Sequence, residues 1–397
     1  MKTGQEHNNE QCTMNNVQWK KVKLGEVAKT FTGLTYSPNC IDKSGTLVLR
    51  SSNIKDGQLC FEDNVFVSMD IPERAIVQEN DILICVRNGS RNLIGKSALI
   101  TKDAVGMAFG AFMTVLRTNI IDSKLLLYIW QSNNIQRQVA NNIGATINQI
   151  TNADFNRFEI SYPADLAAQR RIAAILASAD KVIAATQKTI AKYKQIKQGM
   201  MEDLLKPKDG WKKVKLGEVG EIISGGTPST TNETFWDGDV LFVTPLDLGR
   251  NNKIDSTLRT ISELGVKNSS ANKIKAHSLA ISTRAPIGLM SIVNQNFTTN
   301  QGCKSIQFYD NYDSEFFYYY LSYNIEIIRR YGQGTTFMEI SKTDFSNLEI
   351  TVPDLPAQRR IAAILSGIDA KIAAEEKVLQ KYEKVKKGLM ERLLNEQ

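Results

Sequence analysis

Apolar residues recur along two stretches of the chain in an alternating four-three spacing. In the first, Ile172, Leu176, Ala179, Ile183, Thr186, Ile190 and Tyr193 hold the pattern, and Met200 and Leu204 continue it. In the second, Ile361, Leu365, Ile368, Ile372, Glu375, Leu379, Tyr382, Leu389 and Leu393 stand at the same places, 189 positions on. A spacing averaging about 3.5 residues keeps one seam facing a partner, so both stretches are predicted to be long helices that pair as a coiled coil. Each is expected to run about 40 residues, roughly 60 Å at 1.5 Å per residue. Both seams are interrupted at matched places, Thr186 with Glu375 and Lys197 with Lys386. Matched polar layers would fix the register of the pair; the alternative is that the lysines are solvated at a loose end of the seam.

The helices are part of a larger repeat. Gln169-Arg170-Arg171-Ile172-Ala173-Ala174-Ile175-Leu176 returns as Gln358 to Leu365, and Trp19-Lys20-Lys21-Val22-Lys23-Leu24-Gly25-Glu26-Val27 returns unchanged at Trp211 to Val219. The second opening follows Pro207 and Gly210, which must end the first helix. Weaker anchors join the intervening segments: Thr32 to Thr35 with Ser224 to Thr227, Arg50 to Ile54 with Thr244 to Leu248, and Ile82 to Arg87 with Leu279 to Arg284. Gly95 then answers Gly288, Phe109-Gly110-Ala111 answers Gln301-Gly302-Cys303, and Gly144-Ala145-Thr146 answers Gly334-Thr335-Thr336. Asp154-Phe155 with Pro163 answers Asp344-Phe345 with Pro353. Between anchors the copies share little, as when one scaffold carries two different surfaces.

Aliphatic and β-branched runs bounded by turn residues predict strands, most clearly at Thr46 to Leu49, Ile82 to Val86 and Ser291 to Val293. Helical spacing predicts one helix over Ser123 to Asn141 and another over Asp313 to Tyr331. Within the latter, Phe316 to Tyr320 are read as core rather than as a base-stacking platform. The fold class is therefore α+β, with a twisted, mainly antiparallel sheet in each globular unit. The expected divisions are a disordered tail or cloning remnant at 1–17, a globular domain at 18–163, a helix at 164–206, a second domain at 207–353 and a second helix at 354–397.

Composition adds limits. The 397 residues carry 49 basic and 42 acidic side chains, a net charge of +7 that admits nucleic acid or another acidic partner. Five cysteines, an odd number with no Cys-x-x-Cys pair, suggest free thiols and a cytoplasmic location. No apolar run reaches the ~18 residues of a membrane span, and Met1 to Asn16 has no apolar core for a signal peptide. With only His7 and His277, a histidine-based triad or metal site lacks members, so no metal or catalytic residue is assigned. No phosphate-cradling Gly-x-x-x-x-Gly-Lys-Ser/Thr loop occurs, and no Pro-Pro pair supplies the signature of base-amino methyltransferases. Glu375 to Lys377 has a nuclease-like Glu-x-Lys spacing but falls on the second helix, where a solvated face is expected.

The candidate chemistry is binding. After its central strand the first half places Arg87-Asn88-Gly89-Ser90-Arg91-Asn92, closing at Lys96; the second places Thr283-Arg284, with Gln301 and Lys304 further on. Arg pairs bidentately with guanine, Asn suits adenine, and Lys suits phosphate, which makes Arg87, Asn88, Arg91, Lys96, Thr283, Arg284, Gln301 and Lys304 the DNA-binding candidates. The same composition also suits an ordinary exposed turn. Arg87 and Arg284 gain weight by recurring at one point of a duplicated fold.

The duplicated helix with its Gln-Arg-Arg-Ile-Ala-Ala-Ile-Leu start, the Trp-Lys-x-Val-Lys-Leu-Gly-Glu-Val openings, Gly225-Gly226-Thr227-Pro228-Ser229 and Thr283-Arg284-Ala285-Pro286-Ile287-Gly288 together resemble the specificity subunit of type I restriction-modification enzymes. The likeness covers Val17 to Leu394; the first half departs from it with Val86-Arg87-Asn88-Gly89 in place of Thr-Arg-Ala-Pro. The resemblance implies two target recognition domains, each docking on half of a split site in double-stranded DNA, and two helices packed antiparallel as a spacer. It implies two methyltransferase subunits on the helix pair and two restriction/translocase subunits, so that S-adenosylmethionine, ATP and Mg belong to partners and this chain binds no cofactor. Ile172, Leu176, Ile183, Ile190, Tyr193, Ile361, Leu365, Ile372, Leu379 and Tyr382 become the coiled-coil and subunit-interface candidates. A rod of ~60 Å spans at most ~17 base pairs, enough for an unread gap. A protein-binding scaffold and a self-sufficient methyltransferase or nuclease are the competing readings.

Overall fold

A computed structural model of the chain describes residues 17–142, 149–332 and 339–395. The expected N-terminal tail, with His7 and Cys12, lies outside the described residues, as do the anchors Gly144 to Thr146 and Gly334 to Thr336.

The two long helices are Leu166–Leu205, of 40 residues, and Leu355–Leu393, of 39. Each starts beyond an aspartate whose carboxylate takes otherwise unpaired N–H groups of the first turn: Asp165 accepts from Ala167 and Ala168, and Asp354 accepts from Ala357. The repeated glutamine has a matched task in both copies. Gln169 Oε1 accepts from the Asp122 N–H while its Nε2 donates to the Pro163 carbonyl, both at 2.8 Å. Gln358 does the same with Asp313 and Pro353, at 2.9 Å each. A buried amide satisfied on both sides ties each helix start to its own globular head.

The chain divides into two compact units, Met1–Thr186 with Val378–Gln397, and Gln187–Lys377. Each contains one head, the first part of the helix that follows that head, and the last part of the other helix. In the first unit Ile172, Ala173 and Leu176 share a core with Leu389, Met390, Leu393 and Leu394, while Asp180 meets Lys386, so the two segments run antiparallel. In the second unit Met200, Leu204 and Leu205 share a core with Ile361, Ala362 and Leu365, and Lys197 meets Asp369, again antiparallel. Most of the expected seam is buried or half-buried, and Leu176 and Leu365 are wholly enclosed. Tyr382 departs from it: at 40% exposure it stands outside the seam, whereas its counterpart Tyr193 is half-buried. Lys197 and Lys386 are not solvated loose ends, since both are half-buried and ion-paired at 2.7 and 2.6 Å.

The heads are built alike. A strand pair closes each at its helix junction, Trp19–Lys23 with Glu159–Pro163 and Lys212–Lys215 with Glu349–Val352. The first head's central sheet runs in the order Lys29–Thr32, Met113–Arg117, Ile82–Cys85, Ser97–Leu99, all antiparallel. The second's runs Gly220–Ser224, Cys303–Phe308, Ser278–Ser282, Met290–Val293, Lys253–Ile254, with the last pair parallel. Beside each lies a three-stranded sheet containing one parallel pair. The pairing is thus mainly antiparallel, but it is distributed over several small sheets rather than one.

Two further expectations need correction. Each predicted single helix is a pair: Ser123–Gln131 with Asn133–Asn142, and Ser314–Tyr323 with Ile325–Gly332. The breaks fall at Ser132, whose backbone is extended, and at Asn324, whose side chain bonds back to the Tyr320 carbonyl. The copies are also aligned two residues differently near the third anchor. Phe109 pairs with Leu49 and Thr299 with Val243, and the Gly110 and Asn300 N–H groups then donate to Leu49 and Val243. Phe109-Gly110-Ala111 therefore answers Thr299-Asn300-Gln301, and Phe112 occupies the place of Gly302. Phe316, Phe317, Tyr319 and Tyr320 are buried, with Phe316 stacked on Tyr320 at 5.6 Å, as core residues should be.

Candidate nucleic-acid interface

The central strand of each head ends at a loop held by the same backbone bonds. Gly95 N–H donates to the Cys85 carbonyl at 2.8 Å and Gly288 N–H to the Ser282 carbonyl at 2.9 Å. Both glycines have positive φ, 84° and 93°, which other residues rarely adopt. Val86 N–H donates to Phe112 and Thr283 N–H to Gly302. Arg87 then bridges to Gln149, and Arg284 bridges to Glu339. The two arginines are structurally equivalent, and both are exposed.

Their surroundings differ. In the first unit the Arg87 guanidinium lies 5.3 Å from the ring centroid of Phe112, which is 56% exposed. Asn88 Nδ2 donates to Ser51 Oγ and Lys96 Nζ to the Ser51 carbonyl, each at 3.3 Å, so both side chains lean on the turn after Ile41–Leu49. Arg91 reaches the Ala140 carbonyl at 3.2 Å. A cleft of about 400 Å³ opens nearby, lined by Tyr36, Arg50, Ser51, Asp63 and Phe112 among others. Arg50 is anchored there by Asp63 at 3.0 Å, and its buried Nε has no hydrogen-bond partner. The loop's arginine, asparagine and lysine thus touch Phe112 and Ser51, which line that cleft, and together they form the mixture that meets phosphates, base edges and base faces.

In the second unit Glu339 occupies the centre. Arg284 Nε donates to Glu339 Oε2 at 2.9 Å, and Lys304 Nζ lies 3.8 Å from the other oxygen. Lys304 is only 4% exposed, and burial lowers its pKa against the opposing pull of Glu339. It donates to the buried Thr283 hydroxyl at 3.4 Å. Thr283 and Lys304 are therefore set beneath the loop, out of reach of a duplex in this structure, because the strand that carries Lys304 turns that side chain inward. Gln301 is exposed and accepts from the Thr227 hydroxyl at 2.6 Å. The buried Asn300 Oδ1 has no partner.

Arg87, Asn88 and Lys96 are thus gathered at one rim, whereas Arg91 points to a neighbouring helix. Arg284 shares its place with Glu339. Phe112, Arg50, Ser51 and Glu339 also stand at these loops, and no binding motif marks them in the sequence. Phe112 was hidden by the two-residue misalignment, and Glu339 lies far from Arg284 along the chain. Among the described residues no group of three or more His, Cys, Asp or Glu is placed to hold a metal, and no helix is long and apolar enough to cross a membrane. Cys40, Cys60, Cys85 and Cys303 are free thiols.

Comparison with known proteins gives this architecture a context. The family model described as the type I restriction modification DNA specificity domain matches twice, at residues 16–195 and 208–384. The putative type I restriction enzyme MjaX specificity subunit of Methanocaldococcus jannaschii is 27% identical over 95% of this chain and 95% of its own length. The MjaIX specificity subunit of the same organism is 33% identical, and there the match spans 45% of this chain and 42% of the relative, under half its length. A solved type I restriction-modification system S subunit from M. genitalium has a similar fold, with a TM-score of 0.60 at 17% identity over 96% of this chain and 98% of that one. A chain from a study of complex assembly and conformational transition of the type I R-M system gives a TM-score of 0.61 at 22% identity, covering 96% and 99%.

Proposed function

The chain belongs to the type I restriction modification DNA specificity family and carries its domain twice, and from that premise we propose that its two heads read the two halves of one split DNA site. The observation that carries the proposal is duplication with divergence. Two loops share one backbone frame, yet one offers Arg87 beside Phe112 and the other Arg284 beside Glu339. Different side chains on equivalent frames read different bases, so the site is asymmetric.

In this proposal the helix pair is the spacer, and the tandem repeat presents two similar surfaces to two copies of a methyltransferase subunit. Two restriction/translocase subunits join the same assembly. The chain itself does no chemistry: adenine methylation and ATP-dependent cleavage, with S-adenosylmethionine, ATP and Mg, belong to the partners. The complex works in the cytoplasm. Arg87, Asn88, Lys96 and Phe112 serve the first half-site, and Arg284 and Gln301 the second.

The test is a genome-wide map of methylated adenines in cells with and without the gene, or in a clean host given the gene with its methyltransferase partner. Loss of one split, asymmetric motif on deletion supports the proposal. A motif that persists without the gene, or one that is continuous or palindromic, refutes it.

A further inference from the structure

Each head grips the helix pair through a tyrosine, an aspartate and a lysine drawn from three separate segments. In the first unit Tyr128 Oη, on Ser123–Gln131, donates to Asp180 Oδ2 at 2.7 Å, and Lys386 Nζ meets Asp180 Oδ1 at 2.6 Å. The lysine also lies 5.6 Å from the Tyr128 ring centroid. In the second unit Tyr319 Oη donates to Asp369 Oδ2 and Lys197 Nζ meets Asp369 Oδ1, both at 2.7 Å, with the lysine 5.4 Å from the Tyr319 ring centroid. The aspartate comes from the helix that follows the head and the lysine from the other helix. Asp180 and Lys197 stand 17 positions apart on one helix, as do Asp369 and Lys386 on the other. The second clamp has one more member, Asn252, whose Nδ2 donates to Asp369 Oδ2 at 2.5 Å.

A lysine in an apolar seam is unfavourable unless its charge is met, and a half-buried aspartate carries the same requirement. Here one carboxylate meets the lysine and also takes the tyrosine hydroxyl, so all three are satisfied in a single register. Sliding the helices by one heptad keeps apolar residues opposite apolar residues but takes each lysine away from the aspartate, which stays with its tyrosine on one head and its own helix, so that both charges lose their partner. Burial and the neighbouring carboxylate raise both tyrosine pKa values, so the hydroxyls remain donors throughout the neutral range.

We propose that the two Tyr–Asp–Lys clamps are positioning elements for spacing specificity: they lock each head to one register of the helix pair and so restrict the protein to one gap length between its half-sites. This rests on the split-site reading above. It adds a determinant of specificity that touches no base.

The experiment measures adenine methylation by the complete complex on duplexes bearing both half-sites at gaps one to four base pairs shorter and longer than the native one, a range that includes the ~3 base pairs of a one-heptad slide. The unmodified complex defines the profile, and an absence of any gap preference there counts against the split-site reading itself. Tyr128→Phe with Tyr319→Phe keeps the ring packing and removes only the hydroxyls; Asp180→Asn with Asp369→Asn removes the ion pairs. The expected result is a fall of about tenfold in the preference for the native gap over its neighbours, with both half-site sequences unchanged. Asp180→Lys combined with Lys386→Asp should restore part of that preference. Variants that methylate with the original gap preference overturn the proposal. Failure of the Tyr→Phe variant to assemble also overturns it, by assigning the clamps to folding.

Discussion

The loop around Arg87 and the loop around Arg284 are held by the same backbone anchors and differ in what meets the arginine. Arg87 bridges to Gln149 and lies against an exposed ring, and among the described residues no carboxylate pairs with it. Arg284 bridges to Glu339, which holds the guanidinium in one orientation and cancels much of its charge. The difference teaches where specificity diverges in a duplicated protein. Residues that set the frame, the glycines of positive φ and the paired strands, repeat, while those that meet solvent do not.

The most severe break of the comparison is in the shared frame. Leu176→Asp and Leu365→Asp each place a charge at a wholly enclosed seam position, and each should cost more than about 4 kcal/mol and unfold its unit. Thermal melts should show equal damage, and a large inequality would mean that the seams are not equivalent. Next come the arginines. Arg87→Ala and Arg284→Ala should each weaken DNA binding by about 1–3 kcal/mol and relax only one half-site, as read by binding to duplexes altered in one half at a time. Smaller, and opposite in sign, is Glu339→Gln, which gives the second loop the carboxamide of the first. It should strengthen binding at low salt and steepen the dependence of log K on log salt by about one, as measured by titration across salt concentrations. Phe112→Ala should have the least effect, about 0.5–1 kcal/mol from the lost contact with Arg87, confined to the first half-site.

Much of this was legible along the chain because it depends on periodicity. The four-three spacing predicts two long helices, which run 40 and 39 residues, and the proline and glycine after Leu205 are a local signal for the first one's end. Breaks at Ser132 and Asn324 were missed because apolar spacing continues through both, and a single backbone rotation or side-chain bond interrupts the helix without disturbing it. The polar seam positions Lys197 and Lys386 were visible as interruptions. Their partners Asp180 and Asp369 were not, because each lies just beside the seam on the opposite helix. The candidate loops were found as stretches of chain, but exposure was not readable: Lys304 looks like a phosphate contact in sequence and is buried on its strand. Glu339 was out of view because the contact joins residues 55 positions apart.

The central claim is that each head reads its own half of one site. Its most direct test is the methylated motif written by the complex when it carries Arg87→Ala or Arg284→Ala, compared with the unmodified complex in the same clean host. The account predicts that each substitution degenerates bases in one half of the motif, a different half for each, and leaves the other half and the gap intact. Degeneracy in both halves from a single substitution, or in the same half from both, would contradict it.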